Sequence, residues 1–129
     1  METKNINRIT TAFINDKSPV MDLMHDDLVA SGVDVVFRSD NIVDGNNQLS
    51  LLKTLPNICI IDLDFFDKGI MKQLRELRSQ YPTLKLIAHS DTDDEKVINK
   101  LAGLGFSKYV LIGNDMKKAI YGVVNGGQR

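Results

Sequence analysis

The stretch ICIIDLDFFDKG, residues 58–69, joins a short apolar run to three aspartates, Asp62, Asp64 and Asp67. The run ICII, residues 58–61, is continuous rather than alternating, which is typical of a strand that is covered on both faces of a parallel sheet. Asp62 directly follows this run, so the pattern places it at the carboxyl end of a buried strand. The other two aspartates fall in the loop beyond it.

Similar apolar runs recur along the chain and alternate with segments of helical periodicity. The runs predict strands at residues 8–14, 33–37, 58–61, 84–89 and 109–112. Apolar stripes at helical spacing predict helices at residues 18–31, 46–55, 70–80, 94–105 and 116–124. In the second helix, Gly45, Asn46 and Asn47 are poor helix formers. Five strand–helix units with short connections predict a parallel sheet with helices on both faces.

Length and composition predict an ordinary globular domain. The chain has 129 residues and a net charge of −1, so it shows no electrostatic footprint for nucleic acid. We expect one domain over residues 1–129, with frayed polar ends at 1–7 and 126–129. The first residues do not form a secretory signal, and no apolar run approaches the ~20 residues of a membrane span. The single cysteine, Cys59, has no internal partner for a disulfide, and we expect a cytoplasmic location.

Polar residues gather where the predicted strands end. In parallel sheets of this kind, sites lie outside the carboxyl ends of the strands. Asn15 and Asp16 follow the first strand, Asp62 follows the third, and Ser90 follows the fourth. The two carboxylates are expected to converge, and they repel each other unless a cation lies between them. Mg²⁺ suits such a pair, and a carboxylate beside it can act as a nucleophile toward phosphorus.

Each of these acids also has a purely structural interpretation. Aspartate is common at helix N-caps and in turns, and Asp16 could simply cap the first helix. His89, beside Ser90, could border the site, but a lone histidine at a strand end is more often a packing or hydrogen-bonding residue. His25, beside Asp26, fits a solvated helix face. It is the gathering of two carboxylates and a hydroxyl at one edge that favours function.

The sequence resembles the receiver domain of two-component response regulators from about Arg8 to Gly127. The resemblance is densest in YPTLKLIAHSDTDDEKVINKLAGLGFSKYVLI, residues 81–112, and in NDMKKAIYGVVNGG, residues 114–127. This region is similar to receivers that precede a helix-turn-helix DNA-binding domain. The resemblance implies an α/β, flavodoxin-like, doubly wound fold with a five-stranded parallel sheet in the order 2-1-3-4-5.

The resemblance also implies roles for individual residues. Asp62 would accept a phosphoryl group from a histidine kinase or a phosphotransfer protein, with Mg²⁺ as cofactor. Asp16 and Asp62 would bind the metal directly, and Asn15 would bind it through water. Ser90 would be the switch hydroxyl and Tyr109 the switch aromatic. Any enzymatic activity would be limited to phosphorylation and dephosphorylation of the chain itself.

The resemblance further implies partners and an output surface. The output surface would comprise the fourth helix, the fifth strand and the fifth helix, at about residues 93–124. That surface could also form a homodimer. A DNA-binding output domain, absent from this chain, is a possible companion.

Two departures from the family pattern concern the acceptor. Ile112 stands where the family has a lysine that pairs with the acceptor carboxylate, and neither Lys108 nor Lys117 is an evident replacement. Phe66 stands where the family has a proline. The alternative is therefore a degenerate receiver that acts as a phosphorylation-independent interaction module. Flavin binding is a third interpretation, but the loops after strands one and three lack the small residues of a phosphate cradle.

Overall fold

The computed structural model describes residues 9–15, 19–63, 68–91, 93–111 and 114–125. Within them, strands and helices alternate along the chain. The strands are β1 (Thr10–Ile14), β2 (Asp34–Ser39), β3 (Ile58–Asp62), β4 (Lys85–Ser90) and β5 (Phe106–Leu111). The helices are α1 (Pro19–Ala30), α2 (Ile42–Leu51), α3 (Lys68–Gln80), α4 (Glu95–Gly103) and α5 (Met116–Asn125). None of these helices is long and apolar enough to cross a membrane.

The strands form one parallel sheet in the order β2-β1-β3-β4-β5, which confirms the predicted fold class and strand order. Helices α1 and α5 bury Met21, Leu28 and Ile120 against one face of the sheet. Helices α2, α3 and α4 cover the other face. Every residue of β3 is buried, as its continuous apolar run predicts for a strand between two helical layers.

Two elements begin three or more residues before their predicted starts, and α2 also ends at Leu51 rather than at residue 55. Helix α2 begins at Ile42 rather than near residue 46, because Asn41 caps it and accepts a hydrogen bond from the Asp44 backbone N–H at 2.8 Å. Strand β5 begins at Phe106, three residues before the predicted start. Its exposed residues Ser107 and Lys108 hide the apolar pattern, which an edge strand tolerates because it has only one neighbour.

Gly45 allows α2 to lie directly against β1. A Cβ atom at this position would lie 2.6 Å from Ile14 Cγ1 and 2.7 Å from Ile14 Cδ1. Ile14 is fully buried and immediately precedes Asn15, so it has little room to move. The residue that disfavours a helix by propensity is therefore required here by packing.

A single arginine side chain forms hydrogen bonds to two loops at the amino-terminal edge of the sheet. The Arg78 side chain, on α3, donates hydrogen bonds to the carbonyls of Tyr81, Pro82 and Leu84 and to those of Leu104 and Gly105, at 2.8–3.2 Å. Its planar guanidinium can serve several acceptors at once, which a lysine could not do with the same geometry. The α3–β4 and α4–β5 connections are thus joined through one side chain.

Gly45→Ala should lower the free energy of unfolding by about 1–2 kcal/mol, because the clash with Ile14 outweighs the gain in helix propensity. The matched control is Gly122→Ala in α5, where a new Cβ would meet no atom within 4 Å. That substitution should raise stability by about 0.5–1 kcal/mol. Urea unfolding of both variants measures the difference, and stabilisation by Gly45→Ala would show that α2 does not approach β1 this closely.

Candidate functional site

The centre of the carboxyl edge is Asp62, the last residue of β3. Only 2% of its side chain is exposed to solvent. It shares the face of the sheet that carries Ile58 and Ile60, because side chains alternate along a strand, so it lies on the side covered by α1 and α5. A carboxylate buried this deeply needs hydrogen-bond donors or a cation.

His89 provides that partner. Asp62 and His89 are paired residues of the neighbouring strands β3 and β4, and the Oδ1–Nδ1 distance is 3.0 Å. If Asp62 is ionised, its carboxylate can only accept, and the contact then requires the His89 tautomer that carries its proton on Nδ1. The His89 side chain is also buried, with 5% exposed. The strands stay paired one residue further, since the Leu63 N–H donates to the His89 carbonyl at 2.8 Å.

Asn15 approaches Asp62 from β1 through the backbone. Its side-chain Nδ2 donates a hydrogen bond to the Asp62 carbonyl oxygen at 2.6 Å. Its φ of 64° lies in the left-handed region, which asparagine tolerates better than most residues. The turn after β1 is thus hydrogen-bonded to the end of β3, and among the described residues no hydrogen bond to the Asn15 amide oxygen is found.

Ser90 and Tyr109 lie on the opposite face of the sheet from the Asp62 side chain. The Ser90 hydroxyl donates to the carbonyl oxygen of Leu63 at 3.2 Å, so it contacts the residue after Asp62 rather than the carboxylate. Tyr109 is half-buried and packs with the core under α2, α3 and α4. The structure therefore places His89 and Asn15 in contact with Asp62. Ser90 instead contacts Leu63, the residue that follows Asp62.

Several predicted positions lie outside the described residues, namely Asp16, Asp64, Phe66, Asp67 and Ile112. Within the described part of the chain, no group of three or more histidine, cysteine, aspartate and glutamate side chains could hold a metal ion. Asp62 is the carboxylate that this part of the chain places at the predicted metal site. The roles of Asp62, Asp16 and Asn15 as metal ligands all stay predictions.

The two lysines considered above as replacements, Lys108 and Lys117, form no ion pair with the Asp62 carboxylate. Lys117 Nζ lies 3.5 Å from Asp27 Oδ2, on the surface between α5 and α1. Lys108 is exposed on β5. Among the residues with described positions, His89 is the only basic group within 4 Å of an Asp62 oxygen. Sequence reasoning missed this pair, because it depends on the register of β3 against β4, in which Asp62 is the partner of His89.

A small cavity lies beside His89, between α1 and the start of α5. Its volume is about 210 Å³. Its walls combine apolar and polar side chains, namely Val20, Leu23, Met24, Asp27, Asn114, Asp115 and Met116. The His89 imidazole therefore contacts the Asp62 carboxylate and also borders this cavity.

No family model matches the sequence, and the comparison with curated proteins finds no match. Solved structures do match. A LuxR-family two-component response regulator from Aurantimonas sp. superposes with a TM-score of 0.77 at 18% identity, over 93% of this chain and 87% of that one. The isolated REC domain of RcsB from Salmonella enterica serovar Typhimurium, with the phosphomimetic BeF₃⁻, gives 0.78 at 18% identity, over 93% and 91%.

A longer structure of RcsB from Salmonella typhimurium, described in terms of its conformational dynamism for DNA interaction, gives a TM-score of 0.78 at 18% identity. The match covers 93% of this chain but only 61% of that one. Together these similarities show that the chain has the fold of response-regulator receiver domains.

Replacing Asn15 should separate its two contributions to stability. Asn15→Gly keeps the left-handed backbone accessible but loses the hydrogen bond to Asp62, which costs about 1 kcal/mol. Asn15→Ala loses both and should be less stable than Asn15→Gly by about 1 kcal/mol. Chemical unfolding measures both values. Equal stability of the two variants would contradict the strained turn at this position.

Proposed function

We propose that this chain is a receiver module that accepts a phosphoryl group on Asp62 from a histidine kinase or a phosphotransfer protein and relays the change in two-component signalling. One observation carries the proposal: on a receiver fold, a buried carboxylate ends the central strand, and one of its oxygens is hydrogen-bonded to His89. Among the described residues, Asp62 Oδ1 contacts His89, and no hydrogen bond reaches Oδ2.

The chemistry requires one carboxylate oxygen to act as the nucleophile. Asp62 Oδ2 attacks the phosphorus of the donor, and a new O–P bond forms. The bond from phosphorus to the donor breaks, and the leaving group takes the electron pair: an imidazole nitrogen from a phosphohistidine, or a carboxylate oxygen from an acyl phosphate. The product is an aspartyl phosphate.

The cofactor proposed for this step is Mg²⁺. Asp62 and Asp16 would hold it directly, and Asn15 would contribute its amide oxygen through a water molecule. Mg²⁺ typically uses one or two carboxylates, keeps several waters and binds phosphoryl oxygens, so a site with few protein ligands suits it. When bound, it would offset negative charge on the transferred group.

The relay proposed downstream involves Ser90 and Tyr109. A phosphoryl group on Asp62 would add charge and acceptor oxygens at the end of β3, where the Ser90 hydroxyl contacts the carbonyl of the next residue, Leu63. Movement of that hydroxyl would let Tyr109 shift in β5. The responding surface would be α4, β5 and α5, at about residues 93–124.

Partners and location complete the proposal. The same surface could form a homodimer, and a DNA-binding output domain outside this chain could respond to it. A cytoplasmic location suits such a module. The longer RcsB structure is described in terms of DNA interaction, and this chain matches only 61% of it. That similarity supports the proposal of an output domain outside this chain.

The second candidate is a receiver-like interaction module that works without phosphorylation. The observation that favours it is the burial of the acceptor: Asp62 is only 2% exposed in its side chain and is already paired with His89. In this alternative, the pair stabilises the edge of the sheet, and the helices provide a fixed docking surface.

Incubation of the chain with Mg²⁺ and an acyl phosphate should add one phosphoryl group, measured by intact-protein mass spectrometry. Asp62→Asn should abolish the addition and keep the fold, because the amide preserves the size of the carboxyl group but is not a nucleophile. A regular receiver labelled in parallel controls for the donor. No mass increase under those conditions, or unchanged labelling of Asp62→Asn, would contradict the proposal, and unchanged partner binding by Asp62→Asn would favour the second candidate.

A further inference from the structure

We infer that His89 is the positioning residue of the phosphoacceptor: its Nδ1–H holds Asp62 Oδ1 and thereby presents Oδ2 as the reacting oxygen. This inference rests on the proposed function of Asp62. It assigns a role in the transfer to a histidine that neither the strand-end pattern nor the family resemblance identifies.

The first argument is geometric. Asp62 and His89 are paired in register on adjacent parallel strands, and the Leu63 N–H to His89 carbonyl bond extends the ladder beyond them. Both side chains therefore start from fixed backbone positions on the same face. At 3.0 Å the Nδ1–Oδ1 contact restrains the rotation of the carboxylate about its last bond. The two carboxylate oxygens are therefore inequivalent: Oδ1 is hydrogen-bonded to His89, and Oδ2 is the oxygen left to react.

The second argument concerns charge. An ionised carboxylate with 2% exposure has lost most of its hydration and needs a donor that belongs to the protein. Position 112, where the resemblance implies a lysine, is isoleucine. Lys117 is paired with Asp27, and within the described part of the chain only His89 forms a hydrogen bond or ion pair with the Asp62 carboxylate. His89, on the neighbouring strand, thus supplies to Asp62 a hydrogen bond for which the sequence pattern predicts no donor.

The third argument concerns the other side of the ring. His89 borders the cavity between α1 and the start of α5, and no hydrogen bond to Nε2 is found among the described residues. The polar contact that orients the imidazole is therefore the one to Asp62. The cavity also leaves room for side chains of different shape at position 89, which makes substitutions there informative.

Two substitutions separate positioning from packing. His89→Asn places a side-chain N–H close to where Nδ1 stands, so it keeps a donor while removing the ring. His89→Leu keeps bulk but has no donor. The matched control is His25→Leu, because His25 Nδ1 also contacts an aspartate, Asp26, at 3.2 Å. Asp26 is exposed, whereas the half-buried His25 ring packs against Phe13.

The measurement is the single-turnover rate of Asp62 labelling by an acyl phosphate with Mg²⁺, as a function of donor concentration. His89→Leu should lower the maximal rate on the order of ten- to a hundredfold, the range expected for a lost hydrogen bond to a charged group. The donor concentration at half-maximal rate should stay unchanged. His89→Asn should recover most of the rate, and His25→Leu should label like the unmodified chain.

The positioning role would be overturned if His89→Leu were labelled at the rate of the unmodified chain. It would also be overturned if His89→Leu and His89→Asn were slowed equally while circular dichroism showed both variants to be folded. A second measurement keeps this distinct from failure of the proposed function. The ring Nδ1–H of His89 should give a downfield proton NMR signal that Asp62→Ala removes. If that signal behaves as expected but the unmodified chain is never labelled, the phosphorylation proposal itself fails. If labelling occurs but the signal ignores Asp62→Ala, only the role of His89 fails.

Discussion

The burial of a carboxylate at the end of β3 is the constraint on which the carboxyl edge of the sheet depends. Four apolar residues of this strand lie between two helical layers, and the fifth, Asp62, enters the same buried environment. A charge in that position is costly unless protein groups replace the lost water. Two side chains contact this residue: the His89 imidazole on β4 contacts its carboxylate, and the Asn15 amide, just after β1, contacts its backbone carbonyl.

The two faces of the sheet divide the site. Asp62 and His89 point toward α1 and α5, whereas the Ser90 hydroxyl and Tyr109 belong to the side of α2, α3 and α4. Leu63 links them, because its N–H bonds to the His89 carbonyl and its carbonyl accepts the Ser90 hydroxyl. A change at the carboxylate would therefore reach the second face through the backbone at the end of the sheet.

The strands and their burial could be predicted from the sequence, because the spacing of apolar residues within each short segment determines which of its faces is buried. ICII indicates a strand covered on both faces, and the alternation with helical stripes indicates a parallel sheet, which the structure has. The start of α2 could not be predicted from propensity, because the Asn41 cap and the contact of Gly45 with Ile14 decide it.

The partner of Asp62 was beyond sequence reasoning for a different cause. Pairing with His89 depends on the register of β3 against β4, which neither segment specifies alone. The strand-end rule predicted that Asp62 and Asn15 lie at the same edge of the sheet, and the two do lie together. The role of Asp62 as acceptor is implied by the family resemblance and stays a prediction. The proposed contributions of Asp16 and Ile112 concern positions outside the described residues, so they remain predictions.

At the other edge of the sheet, Arg78 joins α3, the α3–β4 connection and the α4–β5 connection through carbonyls at both loops. These loops are separated by a whole strand–helix unit, yet one guanidinium holds them together. New chain termini introduced near residue 83 or residue 104 would divide the acceptors of that side chain between two ends of the chain. Circular permutation or splitting of the chain at those turns would then disturb two connections at once, even though both turns lie at the surface and far from Asp62.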